Sequence, residues 1–161
     1  MKILRPKRPA AAGLSLVDMI VTVSIVGIMS AVAVAGYKNF YESSSTAVAR
    51  NTVETMNYAV SKYLQLEGTK LYDMVAVDGN ADDEMKVLYN LQWDDGSPGQ
   101  PYMRNDFRPG TSSSTDDYRA IWNGSTYELK TPGETGAGIK IELSGVDFGR
   151  PVSFPGDFTP N

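Results

Sequence analysis

The sequence contains no cysteine and no histidine among its 161 residues. Without cysteine, disulfides, zinc–thiolate sites and cysteine nucleophiles are excluded. Without histidine, the chain lacks the commonest general base and the commonest transition-metal ligand, and a Ser–His–Asp triad cannot be assembled. Paired carboxylates could still catalyse glycoside hydrolysis, but no spacing points to them. We therefore expect a protein that is not an enzyme and carries no resident cofactor.

The charges are divided unevenly along the chain, which holds 15 basic and 19 acidic residues. Residues 1–13 contain no acid but four bases, so residues 14–161 carry 11 bases against 19 acids. An acidic body of this kind has no electrostatic reason to bind nucleic acid. The four bases, which stand directly before an apolar stretch, are Lys2, Arg5, Lys7 and Arg8. By the positive-inside rule, they place the N-terminus in the cytoplasm and the residues after Tyr37 on the far side of a membrane.

Residues 14–36 form an apolar segment in which Asp18 is the single charged residue. As a helix, its 23 residues would extend about 35 Å, enough to cross a hydrocarbon core of about 30 Å. Residues 37–67 predict an amphipathic continuation of this helix, ending at Gly68. Its apolar face repeats at helical spacing through Val53, Met56, Val60 and Tyr63. The Ser/Thr run at 43–46 has poor helix propensity and predicts a kink or break.

The composition changes in residues 68–161, which hold 12 of the 15 glycines and seven of the nine prolines. Asn123 and Gly124 separate two strand-like segments, 118–122 and 126–130, which predicts a β-hairpin. Residues 139–143 predict a third strand, whereas residues 94–117 are predicted to form a loop. The chain is therefore expected to adopt an α+β fold, with a long N-terminal helix leading into a small antiparallel β-sheet.

Three interpretations compete for residues 1–36. They could form an uncleaved membrane anchor, with Asp18 near the interface. They could be a secretory signal peptide, cut after the A-x-A pattern at 33–35, although the apolar region exceeds the usual 7–15 residues. Alternatively, the leader 1–13 could be removed after Gly13 on the cytoplasmic side. Leu14 would then be the first residue, and Asp18 the fifth.

The basic leader, Gly13, the stretch LSLVD and the apolar run after it resemble the processing signal of type IV pilins and type II secretion pseudopilins. In the family, five positions follow the cleavage glycine. The first is Phe, or sometimes Leu or Met; the second is Thr and the third is Leu. The fourth is Ile or Val, and the fifth is Glu. Gly13, Leu14, Leu16 and Val17 fit this pattern. Ser15 stands in place of Thr and Asp18 in place of Glu. The long helix and small sheet also resemble the family's architecture in outline.

The resemblance implies that a prepilin peptidase cuts between Gly13 and Leu14 and methylates the new amine of Leu14. It further implies that Asp18 pairs with the Leu14 amine of a neighbouring subunit inside a filament. Implied partners are copies of the chain or related subunits, the peptidase and an inner-membrane assembly platform. Because Asp is one methylene shorter than Glu, both a major and a minor subunit remain open. The alternatives are a true type IV pilin and a membrane-anchored extracytoplasmic binding domain.

Acidic residues after residue 93 are a further candidate site. Carboxylate oxygens are the ligands that calcium prefers, and major pseudopilins often hold calcium in a C-terminal loop. The spacing here matches no defined calcium loop, so solvated turn residues are the favoured interpretation. The residues concerned are Asp94, Asp95, Asp106, Asp116 and Asp117.

Overall fold

The computed structural model describes residues 15–68, 81–156 and 158–160, without the side chains of residues 35 and 81–83. The chain divides into two compact units, residues 1–41 and 42–161. We call their described parts the apolar unit and the globular unit. Two helices are described, α1 over Leu16–Glu67 and α2 over Ala81–Gln92. The α+β prediction is confirmed, because α1 leads into a small antiparallel sheet.

Helix α1 is continuous through residues 43–46, so the predicted break is wrong. Tertiary contacts in the globular unit offset the weak helix propensity of this run. Ser45 is buried, and the Thr46 hydroxyl donates to the Glu42 carbonyl over 2.9 Å while lying 3.0 Å from the Tyr118 hydroxyl. The helix ends where predicted, since Gly68 follows it with a positive φ of 80°, the conformation of a C-terminal glycine cap.

Four strands form the described sheet, in the order β1–β4–β2–β3, with every neighbouring pair antiparallel. They are β1 (Thr111–Ser112), β2 (Arg119–Trp122), β3 (Tyr127–Lys130) and β4 (Gly138–Lys140). The predicted hairpin is confirmed, with Trp122 opposite Tyr127. The Asn123 side chain holds its turn by accepting from the amides of Ser125 and Thr126, each over 2.9 Å. Strand β1 lies in a segment that the sequence predicted to be loop.

The core of the globular unit lies between α1, α2 and the sheet. The apolar face predicted for α1 is confirmed, as Val53, Met56, Val60 and Tyr63 are all buried. Helix α2, which the sequence reading missed, contacts β1, β2 and β4. It contributes Val87, Leu88 and Leu91, each fully buried. The remaining buried apolar residues are Ala49, Ala59, Met103, Phe107, Ala120, Trp122, Tyr127, Ile139 and Ile141.

Asn57 of α1 closes the outer edge of the sheet at β3. Its side-chain amide donates to the Tyr127 carbonyl over 2.9 Å and accepts from the Tyr127 amide over 2.7 Å. The side chain therefore makes the two hydrogen bonds that a further strand would make. An edge strand left unpaired is a template for intermolecular pairing, so Asn57 protects the sheet as well as fastening it to the helix.

Gly138 is required where β4 meets β2. A Cβ atom there would lie 2.7 Å from the Ala120 carbonyl oxygen and 2.9 Å from Ile121 Cγ1. We expect Gly138→Ala to lower the free energy of unfolding by about 1–3 kcal/mol, the usual cost of overpacking, measured by urea denaturation in detergent micelles. Gly110→Ala is the matched control, because a Cβ at Gly110 meets no atom within 4 Å. Equal stabilities of the two variants would contradict this account.

Asp147 is a buried acid whose pKa is raised, chiefly by burial, although its carboxylate accepts from the Glu142 amide over 3.0 Å. A raised folded-state pKa means that the charged form is disfavoured in the fold, so this residue costs stability above its folded-state pKa. We expect Asp147→Asn to be more stable than the parent chain at pH 7. The difference should vanish as the pH falls below the unfolded-state value, about 3.9, in pH-dependent denaturation. A constant difference across this range would contradict the assignment.

Candidate functional site

The apolar half of α1 is the candidate site. Among the described residues, α1 alone is long and apolar enough to cross a membrane, with a mean hydropathy of 2.3 over its most apolar 18 residues, none of them buried. Its large apolar side chains are 50–75% exposed between Leu16 and Val34. An apolar surface this extensive marks contact with lipid or with another protein. The exposed residues are Leu16, Val17, Met19, Ile20, Val21, Val23, Ile25, Val26, Ile28, Met29, Val32 and Val34.

The hydroxyl side chains in this segment are hydrogen-bonded within the helix. Ser24 Oγ donates to the Ile20 carbonyl over 2.8 Å, and Ser30 Oγ to the Val26 carbonyl over 2.7 Å. Thr22 Oγ1 makes the same contact with the Asp18 carbonyl over 2.5 Å. In lipid, an unpaired polar group has no water to bond, so internally satisfied hydroxyls are compatible with a hydrocarbon environment.

Asp18 lies in the first turn of α1, where it caps its own helix. The Ser15 amide donates to Asp18 Oδ2 over 3.2 Å, and the Val17 amide donates to Ser15 Oγ over 3.3 Å. This reciprocal arrangement is a variant of the capping box, with Asp in the position more often held by Glu and the Ser15 hydroxyl bonded to the second helical amide instead of the third. Two amides that would otherwise be unpaired at the helix start are thereby satisfied. The Ser-x-x-Asp spacing was a signal for this role that the sequence reading missed.

The proposed cleavage residues, Gly13 and Leu14, lie outside the described residues, as does the basic leader. The described part therefore contains one member of the expected pair, Asp18. At the other end of the apolar unit, Tyr37, Phe40 and Tyr41 are all exposed on α1. Exposed aromatic rings beside a lysine, here Lys38, are typical of the membrane–water interface.

The acids considered for calcium are not brought together. Across residues 15–68, 81–156 and 158–160, no group of three or more acids is placed to hold a metal ion. Asp94 and Asp95 accept from the amides of Gly96 and Ser97 in their own turn. Asp106 forms two bonds with the Arg104 guanidinium, at 2.6 and 2.8 Å.

Asp117 belongs to a different local network. It accepts from the Ser112 hydroxyl over 2.6 Å and lies 3.4 Å from Lys140 Nζ. These partners hold the pKa of Asp117 below its usual value, with the Ser112 bond as the largest cause. Four of the five acids, Asp94, Asp95, Asp106 and Asp117, thus bond to groups in their own turn or at a strand end.

Comparison with known protein families, with curated proteins and with solved structures finds no match for this chain.

Proposed function

We propose that this chain is a structural, non-enzymatic subunit of a pilin-like filament, nearest in kind to a type II secretion pseudopilin. The observation that carries the proposal is the apolar half of α1, which is exposed along its whole length and has one acid, Asp18, in its first turn. A membrane anchor needs the apolar length alone. The acid at the fifth position after Gly13 is what a filament subunit needs in addition.

Cleavage after Gly13 would give Leu14 a positive amine four residues before the negative Asp18. An unpaired Asp at the bilayer centre costs about 2.5–3.5 kcal/mol on insertion scales. When two helices lie side by side, the Asp18 carboxylate of one can neutralise the Leu14 amine of the other, which relieves the desolvation cost of both. Docking in the apolar core would therefore depend on helix register.

The capping box is compatible with this pairing. Only Asp18 Oδ2 accepts from the Ser15 amide, so Oδ1 retains its lone pairs for a second donor. The Ser15 amide also survives cleavage, since Leu14 becomes the new N-terminus. In this proposal one carboxylate caps its own helix and neutralises the amine of a neighbour, and Asp, although shorter than Glu, suffices for both.

Gly27 and Gly36 give further support. A Cβ atom at either position would meet no atom within 4 Å, so the fold of one copy does not require glycine there. Glycine inside a helix is destabilising by roughly 0.5–1 kcal/mol relative to Ala. Small residues in lipid-exposed helices let neighbouring backbones approach closely, which is the role we assign to these two positions.

The proposal places α1 in the bacterial inner membrane, with the N-terminus in the cytoplasm and the globular unit outside. This orientation follows from the four leader bases. Partners would be copies of this chain or related subunits, the prepilin peptidase and the assembly platform. Subunits would be added from the membrane to a short filament that the globular units decorate.

The direct test is the intact mass and N-terminal sequence of the protein isolated from its native membrane. We expect a chain that begins at Leu14 and carries one extra methyl group on its amine. A chain that begins at Gly36 would indicate a soluble exported domain instead. A chain that retains residues 1–13 would indicate a plain membrane anchor, and either of these results would overturn the proposal.

A further inference from the structure

The C-terminal tail, residues 151–156 and 158–160, lies against the end of α2 through aromatic rings. Tyr89 stands in the last turn of α2, and Trp93 directly follows the helix. Phe154 and Phe158 of the tail contact both of them, with ring centroids 5.0–5.8 Å apart. The two phenylalanine rings also stack on each other, with centroids 5.3 Å apart. We call Tyr89 and Trp93 the receiving pair, and Phe154 and Phe158 the tail pair.

Few polar contacts fasten this tail. The Val152 amide donates to the Asn105 carbonyl over 2.7 Å, and the Phe158 amide donates to the Pro155 carbonyl of the tail itself over 3.0 Å. Side chains in the described part of the tail make no hydrogen bond or ion pair with other described residues. The tail is therefore held mainly by its two rings.

The core of the globular unit is complete without the tail. Its buried apolar residues end at Ile141, and the partly buried apolar residues that pack on them end at Leu143. The tail pair is only half-buried, as is the receiving pair that it covers. If the tail detached, four rings would become exposed while the core would stay closed. An apolar patch of this kind needs a cover, and a second tail of the same sequence would supply it equally well.

Exposed residues precede the tail and give it freedom to pivot. Gly149 and Arg150 are both exposed, and Gly149 has a positive φ of 87°, which glycine adopts readily. A tail that pivots onto a second copy would make the same ring contacts and the same bond to Asn105. Exchange of an identical element between copies loses no contact, so its cost is the entropy of joining two chains. That cost falls where copies are concentrated together.

We propose that the receiving pair is a docking surface for the C-terminal tail of a second copy of this chain, so that neighbouring copies are linked by exchanged tails. The inference deepens the proposed function, on which it rests for the crowding of copies in the membrane, by naming a contact between globular units. Docking of a tail on a second copy needs neither cleavage after Gly13 nor a filament. If no tail is exchanged, the N-terminal mass still decides the filament proposal.

The absence of native cysteine allows a direct test with the full chain in detergent micelles. One form carries Thr159→Cys in the tail, and an isotopically heavy form carries Asp94→Cys beside the receiving pair. Both positions are exposed and all four rings are kept. The adjoining rings, Phe158 and Trp93, lie 5.7 Å apart when the tail is docked. The mixed forms are treated with a short bismaleimide, and we expect a covalent heterodimer of one light and one heavy chain in the mass spectrum.

A matched control accounts for collisions between copies that share a micelle. It carries Ser125→Cys, exposed in the hairpin turn, in place of Asp94→Cys. We expect about tenfold less heterodimer from this control, because the tail does not dock beside the turn. An excess of a peptide of residues 151–161 should remove the difference by occupying the receiving pair. Equal yields from Asp94→Cys and Ser125→Cys would confine the tail to its own chain and overturn the proposal.

Removal of the tail pair tests what holds the exchanged tail. Replacing both Phe154 and Phe158 by Ala in the tail form should abolish the excess of heterodimer. The core keeps all its residues, so the signal of the buried Trp122 indole in an NMR spectrum should be unchanged. Tyr58→Ala, which removes an exposed ring on α1, should leave the heterodimer yield unchanged. Heterodimer that persists without the tail pair would refute the docking surface.

Discussion

Replacing Arg119 by Ala is expected to lower the free energy of unfolding of the globular unit by about 3–5 kcal/mol. Arg119 on β2 is the largest fully buried side chain of the described residues. Its guanidinium donates to the carbonyls of Glu134 and Gly136, and to that of Asp117 over 3.3 Å. The variant loses these charge-assisted bonds, leaves a cavity under the sheet and releases the loop before β4. Urea denaturation of the chain in micelles measures the effect.

Two further variants separate the causes. Arg119→Met keeps most of the buried volume but none of the hydrogen bonds, so its stability should fall between those of the parent chain and Arg119→Ala. Arg104→Ala removes a guanidinium that is 66% exposed and paired with Asp106 at the surface, where an ion pair contributes little. If Arg104→Ala proved as damaging as Arg119→Ala, burial could not be the source of the effect.

Replacing Asp18 by Ala is expected to reduce incorporation of the chain into filaments by about tenfold or more. In the proposed filament, the variant would leave the Leu14 amine of the neighbouring subunit uncompensated in an apolar environment, while the apolar surface of α1 stays intact. Membrane insertion should therefore be unaffected. Filaments sheared from cells and the membrane fraction left behind, both quantified by immunoblotting, measure the two quantities.

Capping and charge pairing can be distinguished at the same position. Asp18→Asn keeps an oxygen that can accept from the Ser15 amide but removes the negative charge, so it should fail in assembly like Asp18→Ala. Asp18→Glu restores the charge and should assemble. Thr22→Val is the control, since the Thr22 hydroxyl bonds only to its own helix. Normal assembly of Asp18→Asn would restrict the acid to its capping role and contradict the pairing.

The elements with strong local signals could be predicted from the sequence. The buried face of α1 has a clear helical repeat, and Asn123 with Gly124 marks a turn whose side-chain bonds are local. The end of the helix at Gly68 could be predicted because glycine readily adopts the positive φ of a C-terminal cap. The break expected at 43–46 was wrong because helix propensity, a weak preference, is overridden by a tertiary contact with Tyr118, 72 residues away.

Helix α2 was missed because its apolar positions are few and adjacent to turn-forming residues. Val87, Leu88 and Leu91 lie on one face together with the buried acid Glu84, but three buried apolar positions in twelve residues are a faint pattern. Strand β1 has only two residues, and its pairing with β4 follows from the fold rather than from its composition. Neither element carries a local signal comparable with that of the hairpin.

The candidate site on α1 could be predicted from the sequence. The apolar helix and the position of Asp18 depend only on spacing along the chain, so both can be recognised in the sequence without a structure.

The hydrogen bonds between Asn57 and Tyr127 join residues separated by 70 positions along the chain. On a chain that emerges N-terminus first, residues 49–63 are made long before the strands that cover them. Their apolar face must stay exposed until the hairpin has been synthesised. Closing such a long loop slows folding, and during that interval the helix is open to proteases and to aggregation. The order of synthesis, and not only the stability of the product, therefore determines how much of the protein reaches its folded form.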